Sequence, residues 1–161
     1  MSNDSLPDVA RPERIISGGQ TGVDRGALDA AMLLGIPHGG WCPRGRLAED
    51  GRIPKHYRLA ETPSRDYAAR TEQNVVDSDA TLILCRGPLR GGTKLTRYLT
   101  TRHDRPCLVV DLDAPPPKDE IHQWLQAHKV AVLNVAGPRE SQRPGIGVAA
   151  ATFIGQLFAD C

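Results

Sequence analysis

Alternation between strand-like and helix-like segments is the feature of this sequence that most limits its fold. From Glu13 onward, short apolar runs such as 80–85 and 106–111 alternate with stretches whose apolar residues recur at helical spacing. The pattern repeats about five times, which is typical of a parallel sheet covered by helices on both faces. Right-handed crossovers leave few topologies for such a chain. We therefore predict an α/β fold, a three-layer Rossmann-like sandwich with a mainly parallel sheet of about five or more strands.

Length and composition predict one folded domain. The chain has 161 residues, and a typical domain holds roughly 100–200. Residues 1–12 are polar and contain two prolines, so we expect a flexible N-terminal tail followed by a single ligand-binding domain at 13–161. A formal net charge of +1 argues against binding of nucleic acid polymers, which need a broad basic surface. No apolar run approaches the roughly 20 residues that cross a bilayer, so no membrane association is expected.

Neither the cysteines nor the histidines predict a metal site. The four cysteines form no CxxC pair, and the five histidines do not cluster. We expect no metal held by protein side chains. Isolated thiols and the absence of a secretory signal pattern predict a cytoplasmic protein.

The first of three glycine-rich junctions, residues 17–26, follows a predicted strand and opens a helix. In such sheets ligands bind where strands end at their carboxyl side. Glycines allow close backbone approach, and the free N–H groups of a helix start attract anions. The junction matches neither the GxGxxG motif nor a Walker loop. A tight turn capped by Thr21 or Asp24 is the structural alternative, but anion binding is favoured. The candidates are Gly18, Gly19, Gln20, Thr21, Gly22, Asp24 and Arg25.

The second junction, residues 86–96, combines glycines, hydroxyls and cations. Gly87 and Gly92 have the spacing of a P-loop, but Thr93-Lys94 reverses the order which that loop requires, so no magnesium–nucleoside triphosphate is expected. Cations at a helix start oppose the helix dipole, and this favours an anion there. The candidates are Arg86, Gly91, Gly92, Thr93, Lys94 and Thr96.

The third junction, residues 134–145, again follows a strand and precedes a helix. Arg139 is suited to two-pronged binding of an oxyanion, or else it pairs with Glu140. Arg139, Glu140 and Ser141 are the candidates here.

Residues 43–63 are rich in glycine, proline and charge, which predicts a long ordered loop rather than a strand or helix. Trp41, just before this segment, and Arg44, within it, could stack on a planar heterocycle. The alternative for Trp41 is a place in the core. Together the candidates suit an anionic small molecule with a flat ring, either a pterin or a nucleotide-like ligand.

Seven segments, taken in order along the chain, resemble the molybdenum cofactor carrier protein family. They are residues 18–25, 40–46, 48–51, 70–75, 78–81, 91–96 and 133–141. The resemblance runs from about residue 14 to the C-terminus. It implies a Rossmann-like fold of the SLOG superfamily, which also includes the LONELY GUY phosphoribohydrolases.

The resemblance also implies a function. Proteins of this family bind, protect and store the molybdenum cofactor, a phosphorylated molybdopterin-type anion, as cargo. The metal would then arrive with the ligand. A homo-oligomer, either a tetramer or a dimer, and a molybdoenzyme that accepts the cofactor are implied as partners.

Two other functions stay open on the sequence. One is a phosphoribohydrolase acting on nucleoside 5′-monophosphates. This sequence lacks the glutamate of the PGGxGTxxE pattern found in that enzyme family. Asp24 would therefore have to act instead. The other is a nucleotide-sensing SLOG module. Three anion-type junctions without an evident catalytic pair favour a binding protein over an enzyme.

Overall fold

The computed structural model describes residues 11–159. Its strands are β1 (Arg14–Ile16), β2 (His38–Gly39), β3 (Trp41–Cys42), β4 (Leu47–Ala48), β5 (Gly51–Arg52), β6 (Ala60–Glu61), β7 (Ala80–Cys85), β8 (Cys107–Asp111) and β9 (Val132–Ala136). Its helices are α1 (Val23–Leu34), α2 (Tyr67–Val76), α3 (Gly91–Arg102), α4 (Lys118–Ala127) and α5 (Ile146–Phe158). Of the predicted tail at residues 1–12, residues 1–10 lie outside the described residues.

Five strands form the central sheet, in the order β2-β1-β9-β7-β8, and every pair is parallel. This confirms the predicted α/β sandwich. The last strand of the chain, β9, is the middle strand of the sheet. If β9 were counted first, the order would become the 3-2-1-4-5 of a Rossmann fold. The sheet is therefore a Rossmann sheet whose first strand has moved to the end of the chain.

The sheet is covered on both faces. Helices α1 and α5 pack against each other on one face, and α2 packs against α3 on the other. The main core joins α1, α4 and α5 to the strand side chains of that first face, among them Leu82, Leu133 and Val135. On the opposite face the strands carry polar groups such as Thr81 and Asn134, which are buried. This second face is the one on which a polar cleft can form.

Helices α1 and α5 approach closely because both carry glycine where they cross. A β-carbon on Gly26 would overlap the carbonyl oxygen of Gly147 and lie 3.1 Å from the backbone nitrogen of Ala151. Gly26 therefore sets the separation of the two helix backbones. Each of these helices begins at a predicted ligand junction, so their spacing also sets the distance between those junctions.

The segment predicted as a long loop at 43–63 contains short strands. β4 pairs with β5, and β6 pairs in parallel with β3. Arg46 organises this segment, since its guanidinium donates to the carbonyl oxygens of four residues: Ile53, Pro54, Leu59 and Tyr57. The turn residues were recognised in the sequence, but strands of two residues leave no periodic pattern to detect.

The two ends of the described chain lie side by side. Arg11 donates through Nη1 to the carbonyl oxygen of Leu34 at 3.0 Å and through Nη2 to that of Phe158 at 3.1 Å. A permuted strand order requires such neighbouring ends, because the usual chain would connect them directly. Among residues 11–159, no helix combines the length and hydrophobicity needed to cross a bilayer.

Candidate functional site

An open cleft lies at the carboxyl ends of β1, β9 and β7, where all three glycine-rich junctions meet. It is open to solvent and is lined by residues of all three junctions and of α2. The position is the one at which Rossmann sheets bind ligands, where the strand order reverses. The lining residues are Gly18, Gln20, Asp24, Arg70, Thr71, Asn74, Gly92, Thr93, Thr96, Asn134, Val135, Ala136, Gly137, Arg139 and Gln142.

The first and third junctions are locked together at the rim of the cleft. Gly22 has φ +81°, and a β-carbon there would lie 2.7 Å from the backbone nitrogen of Glu140. Val23 N–H donates to the carbonyl of Pro138 at 3.2 Å, so the start of α1 is occupied by protein rather than free for an anion. The Thr21 hydroxyl accepts from Glu140 N–H at 3.2 Å.

Glu49 connects the first and third junctions through hydrogen bonds. Its carboxylate accepts from the hydroxyl of Thr21 and from both the backbone N–H and the hydroxyl of Ser141. Arg139 Nη1 lies 3.9 Å from Glu49 Oε2. Burial disfavours the charged form, but the hydrogen bonds from Ser141 and Thr21 outweigh it and lower the pKa of Glu49. Glu49 is thus an ionised clamp between the loops.

The side-chain amide of Gln20 is fixed by hydrogen bonds to its oxygen, while its NH2 group lacks an acceptor among the described residues. Its Oε1 accepts from Thr21 N–H at 3.1 Å and from Glu49 N–H at 2.9 Å, which fixes the orientation of the amide. Its Nε2 is buried and has no hydrogen-bond partner among residues 11–159. A buried donor without an acceptor costs about 1–3 kcal/mol. In a residue that lines the cleft, this marks a place for a ligand or water oxygen.

Asp24 and Arg70 form a buried ion pair in the wall of the cleft. Arg70 Nη1 lies 3.7 Å from Asp24 Oδ2 and donates to the carbonyl of Gly18 at 2.8 Å. Burial raises the pKa of Asp24, although Arg70 and the N–H of Gln20 oppose the rise. The wall therefore carries a fixed guanidinium beside a carboxyl that holds its proton more tightly than usual.

A second guanidinium lies near the first. Arg139 and Arg70 flank the ring of Tyr67, with guanidinium carbons 5.6 Å and 5.3 Å from the ring centre. Cation–π contacts of this kind hold the guanidinium groups in place. Both arginines line the cleft, so it carries two cations against one carboxyl with a raised pKa.

The start of α3 supplies free backbone donors. Gly91 and Gly92 N–H have no hydrogen-bond partner within residues 11–159, and the N-cap residue Arg90 provides no side-chain cap. Thr93 is buried beside them, and the Thr96 hydroxyl donates to the carbonyl of Gly92 at 2.9 Å. This end of the cleft has the donor groups that hold phosphate.

The floor of the cleft is an amide from β9. Asn134 pairs in register with Thr81, and its Nδ2 donates to the Thr81 hydroxyl at 3.2 Å. No described residue donates to its Oδ1. Asn74 on α2 is satisfied, since it exchanges two hydrogen bonds with the backbone of Trp41. Asn134 is therefore the floor residue with hydrogen-bonding capacity left.

The predicted candidates divide into three sets. Gly18, Gln20, Asp24, Gly92, Thr93, Thr96 and Arg139 line the cleft. Gly19, Thr21, Gly22, Glu140 and Ser141 shape the junctions behind it. In this second set Glu140 accepts from Gly145 and Gly147 N–H at the start of α5 instead of pairing with Arg139. The third set contains the remaining candidates, which also do not line the cleft: Arg25, Trp41, Arg44, Arg86, Gly91 and Lys94.

Charge pairing accounts for two residues of that third set. Arg25 forms a two-pronged pair with Asp50 at 2.5 and 2.7 Å, and Arg86 lies 3.2 Å from Asp113. Trp41 donates its indole N–H to Asp77 at 2.6 Å. Arg44 and Lys94 are exposed. Trp41 is half-buried rather than part of the core and does not line the cleft, and its stacking on a ligand stays a prediction.

Eight lining residues were not among the candidates: Arg70, Thr71, Asn74, Asn134, Val135, Ala136, Gly137 and Gln142. The first three lie on one face of α2, and Asn134 is a polar residue inside an apolar strand. A buried polar residue in a predicted core strand was the available signal for Asn134. Within residues 11–159, no group of three or more His, Cys, Asp or Glu side chains is placed to hold a metal ion.

Comparison with known proteins identifies the family. The model of the circularly permutated YpsA SLOG family matches residues 15–158. A crystal structure of a protein from Syntrophus aciditrophicus SB, named "putative molybdenum carrier protein", is 48% identical, covers 91% of this chain and 94% of its own, and superposes with a TM-score of 0.86. No curated protein matches this chain. The strand order found above is itself that of a permuted sheet, and the resemblance in sequence is confirmed. This chain belongs to the circularly permutated YpsA SLOG family.

Proposed function

We propose that this protein binds and protects the molybdenum cofactor, as a cytosolic carrier or store for that cargo. The observation that carries the proposal is the meeting of unsatisfied donors in one cleft: Gln20 Nε2 and the N–H group of Gly92, with that of Gly91 next to it in the chain, beside two arginines. A site built in this way is suited to an anion. The relative from Syntrophus, with its molybdenum carrier name, supports the choice of anion.

Each end of the cleft has a role in this proposal. The terminal phosphate binds the N–H groups of Gly91 and Gly92 and the hydroxyl of Thr93. The oxo–metal end faces Arg70 and Arg139, whose charges are held in place by Tyr67. The pterin lies across the floor, where Asn134 Oδ1 can accept from a ring N–H. The protein contributes shape and charge, and the metal arrives with the cargo.

The first experiment identifies what the protein holds. Protein expressed in a host that makes the cofactor is purified, denatured and assayed for molybdenum by mass spectrometry and for oxidised pterin by fluorescence. We expect both in amounts that approach one per site. Absence of both, together with failure to slow the decay of added cofactor, would overturn the proposal.

A matched pair of variants then tests the site. Arg139→Ala removes a cation that lines the cleft, whereas Lys94→Ala removes an exposed cation of α3 that does not. A charge-assisted hydrogen bond contributes about 1.5–3 kcal/mol, so the first change should weaken cofactor binding by about 10- to 100-fold. The second should change it less than about twofold. Equal losses in both variants would show that general charge, and not the cleft, attracts the ligand.

We further propose a homo-oligomer that delivers the cofactor to an acceptor molybdoenzyme. A groove between α1 and α5 supports the assembly, since it is lined by Leu33, which is 92% exposed, and by small side chains of α5. Sedimentation analysis should give a dimer or tetramer for the wild type. Leu33→Glu should dissociate it, and an unchanged mass would exclude this face from the interface.

A phosphoribohydrolase is the second candidate, and the raised pKa of Asp24 favours it. A carboxyl with a raised pKa is better suited to protonate a leaving group than an ordinary aspartate is. Incubation with AMP and chromatography for free adenine tests this function. Release of adenine that Asp24→Asn abolishes would establish it, and no release would leave the carrier as the function of the cleft.

A further inference from the structure

We propose that the binding site has a second compartment, which accepts a nucleotide joined to the cofactor through a diphosphate. The compartment, called the annex here, is lined by Pro88, Arg90, Pro138, Gln142 and Arg143. This assignment of the annex rests on the proposed function, because the annex extends the cleft that would hold the cofactor. The ligand class is thereby narrowed to the dinucleotide form of the cofactor.

The annex lies directly beside the cleft. Gln142 lines both spaces, so the two adjoin at this residue. The annex is an open groove between the loop after β7 and the loop after β9. These two strands are the neighbours between which the strand order reverses. In Rossmann sheets a dinucleotide crosses the sheet at that reversal.

Two guanidinium groups give the annex its charge. Arg90 is exposed, and Arg143 is fixed because its Nε donates to the carbonyl of Arg86 at 3.0 Å and its Nη1 to that of Gln142 at 3.2 Å. Neither arginine has an acidic partner within 4.0 Å among residues 11–159, and no acidic residue lines the annex. This is a different situation from Arg25 and Arg86, whose charges are paired.

The position of Arg90 is unfavourable unless an anion is present. It is the N-cap residue of α3, and its charge adds to the positive end of the helix dipole. It immediately precedes Gly91 and Gly92, whose N–H groups are free. A phosphate on those N–H groups and a second phosphate at Arg90 would neutralise neighbouring positive sites. Two linked phosphates therefore suit this stretch better than one.

The remaining walls suit a nucleoside. Pro88 and Pro138 present apolar rings on the two sides of the annex, and such rings can pack on the face of a base. Gln142 carries both a donor and an acceptor for the edge of the base. With two cations, two apolar walls and one amide, the annex matches a nucleoside phosphate rather than a simple anion.

The experiment compares two probes on the full-length protein. One is the molybdate–molybdopterin form of the cofactor with its terminal monophosphate, and the other is the guanine dinucleotide form. We measure dissociation constants of both for the wild type and for Arg90→Ala. Arg102→Ala serves as the control, because Arg102 is an exposed arginine of the same helix outside the annex.

We expect the wild type to bind the dinucleotide form at least about tenfold more tightly than the monophosphate form. Arg90→Ala should remove that difference and leave the affinity for the monophosphate form within about twofold. Arg102→Ala should leave both affinities unchanged. Equal wild-type affinities, or an equal loss for both forms in Arg90→Ala, would overturn the annex while the proposed function stands. If the wild type binds neither form, both proposals fail.

Discussion

Two glycine-to-alanine substitutions in helices should change stability in opposite directions. Gly155 on α5 has open space where a β-carbon would be placed, whereas Gly26 on α1 faces the backbone of α5 at Gly147 and Ala151. Alanine in a helix is favoured over glycine by about 0.5–1 kcal/mol, so Gly155→Ala should stabilise the protein by that amount. Overpacking costs roughly 1–3 kcal/mol, and a backbone obstacle cannot rotate away. After subtraction of the helix preference, Gly26→Ala should destabilise by about 1–2 kcal/mol.

Thermal unfolding followed by circular dichroism measures this difference. At about 2–4 °C per kcal/mol for a chain of this size, Gly155→Ala should raise the Tm by about 1–4 °C and Gly26→Ala should lower it by about 2–8 °C. Gly26→Ala should also weaken ligand binding, because it separates α1 from α5 and the junctions that begin them. Equal Tm shifts of the same sign would refute the close approach of the two helices. Unchanged ligand affinity would show that their spacing does not control the cleft.

Two carboxyl groups should give opposite pH dependences. Because the pKa of Asp24 is raised on folding, its contribution favours the native state at low pH and is lost as pH rises from 3.8 through the raised value. Urea unfolding at a series of pH values should therefore show the stability of Asp24→Asn gaining on the wild type with rising pH; a constant difference would contradict this. The pKa of Glu49 is lowered, so its stabilisation is present above 4.5 and lost as pH falls through the lowered value. Glu49→Gln should lower the Tm at pH 7 more than at pH 3, and a loss independent of pH would exclude the charged clamp.

Much of the fold could be predicted because its signals are local. The apolar runs at β7 and β8 have the length and composition of buried strands, and the junctions after β1, β7 and β9 are marked by glycine. Parallel pairing then brings their carboxyl ends to one edge. The position of β9 in the middle of the sheet could not be predicted from the residues of β9 itself. Strand order depends on which strand edges are still unpaired when the sheet assembles.

The site was predicted at the level of loops rather than of individual charges. Arg25 and Arg86 lie in the predicted junctions but pair with Asp50 and Asp113, which are distant in sequence. Arg70 lies in a helix whose apolar spacing gave no reason to single it out, yet it supplies a guanidinium of the cleft. Whether a cation stays unpaired depends on the residues that the fold brings next to it. The sequence does not indicate which residues these are.

The late position of β9 in the chain governs how the molecule is completed during synthesis. Until Val132–Ala136 leaves the ribosome, the only native sheet partner available to β1 is β2 and the only one available to β7 is β8, so the native sheet cannot extend beyond two separate strand pairs. The arrival of β9 joins these halves, supplies Asn134 and brings Arg139 to its place. Assembly of the sheet and acquisition of the ligand pocket are consequently a single event, and a polypeptide terminated before Val132 would lack both.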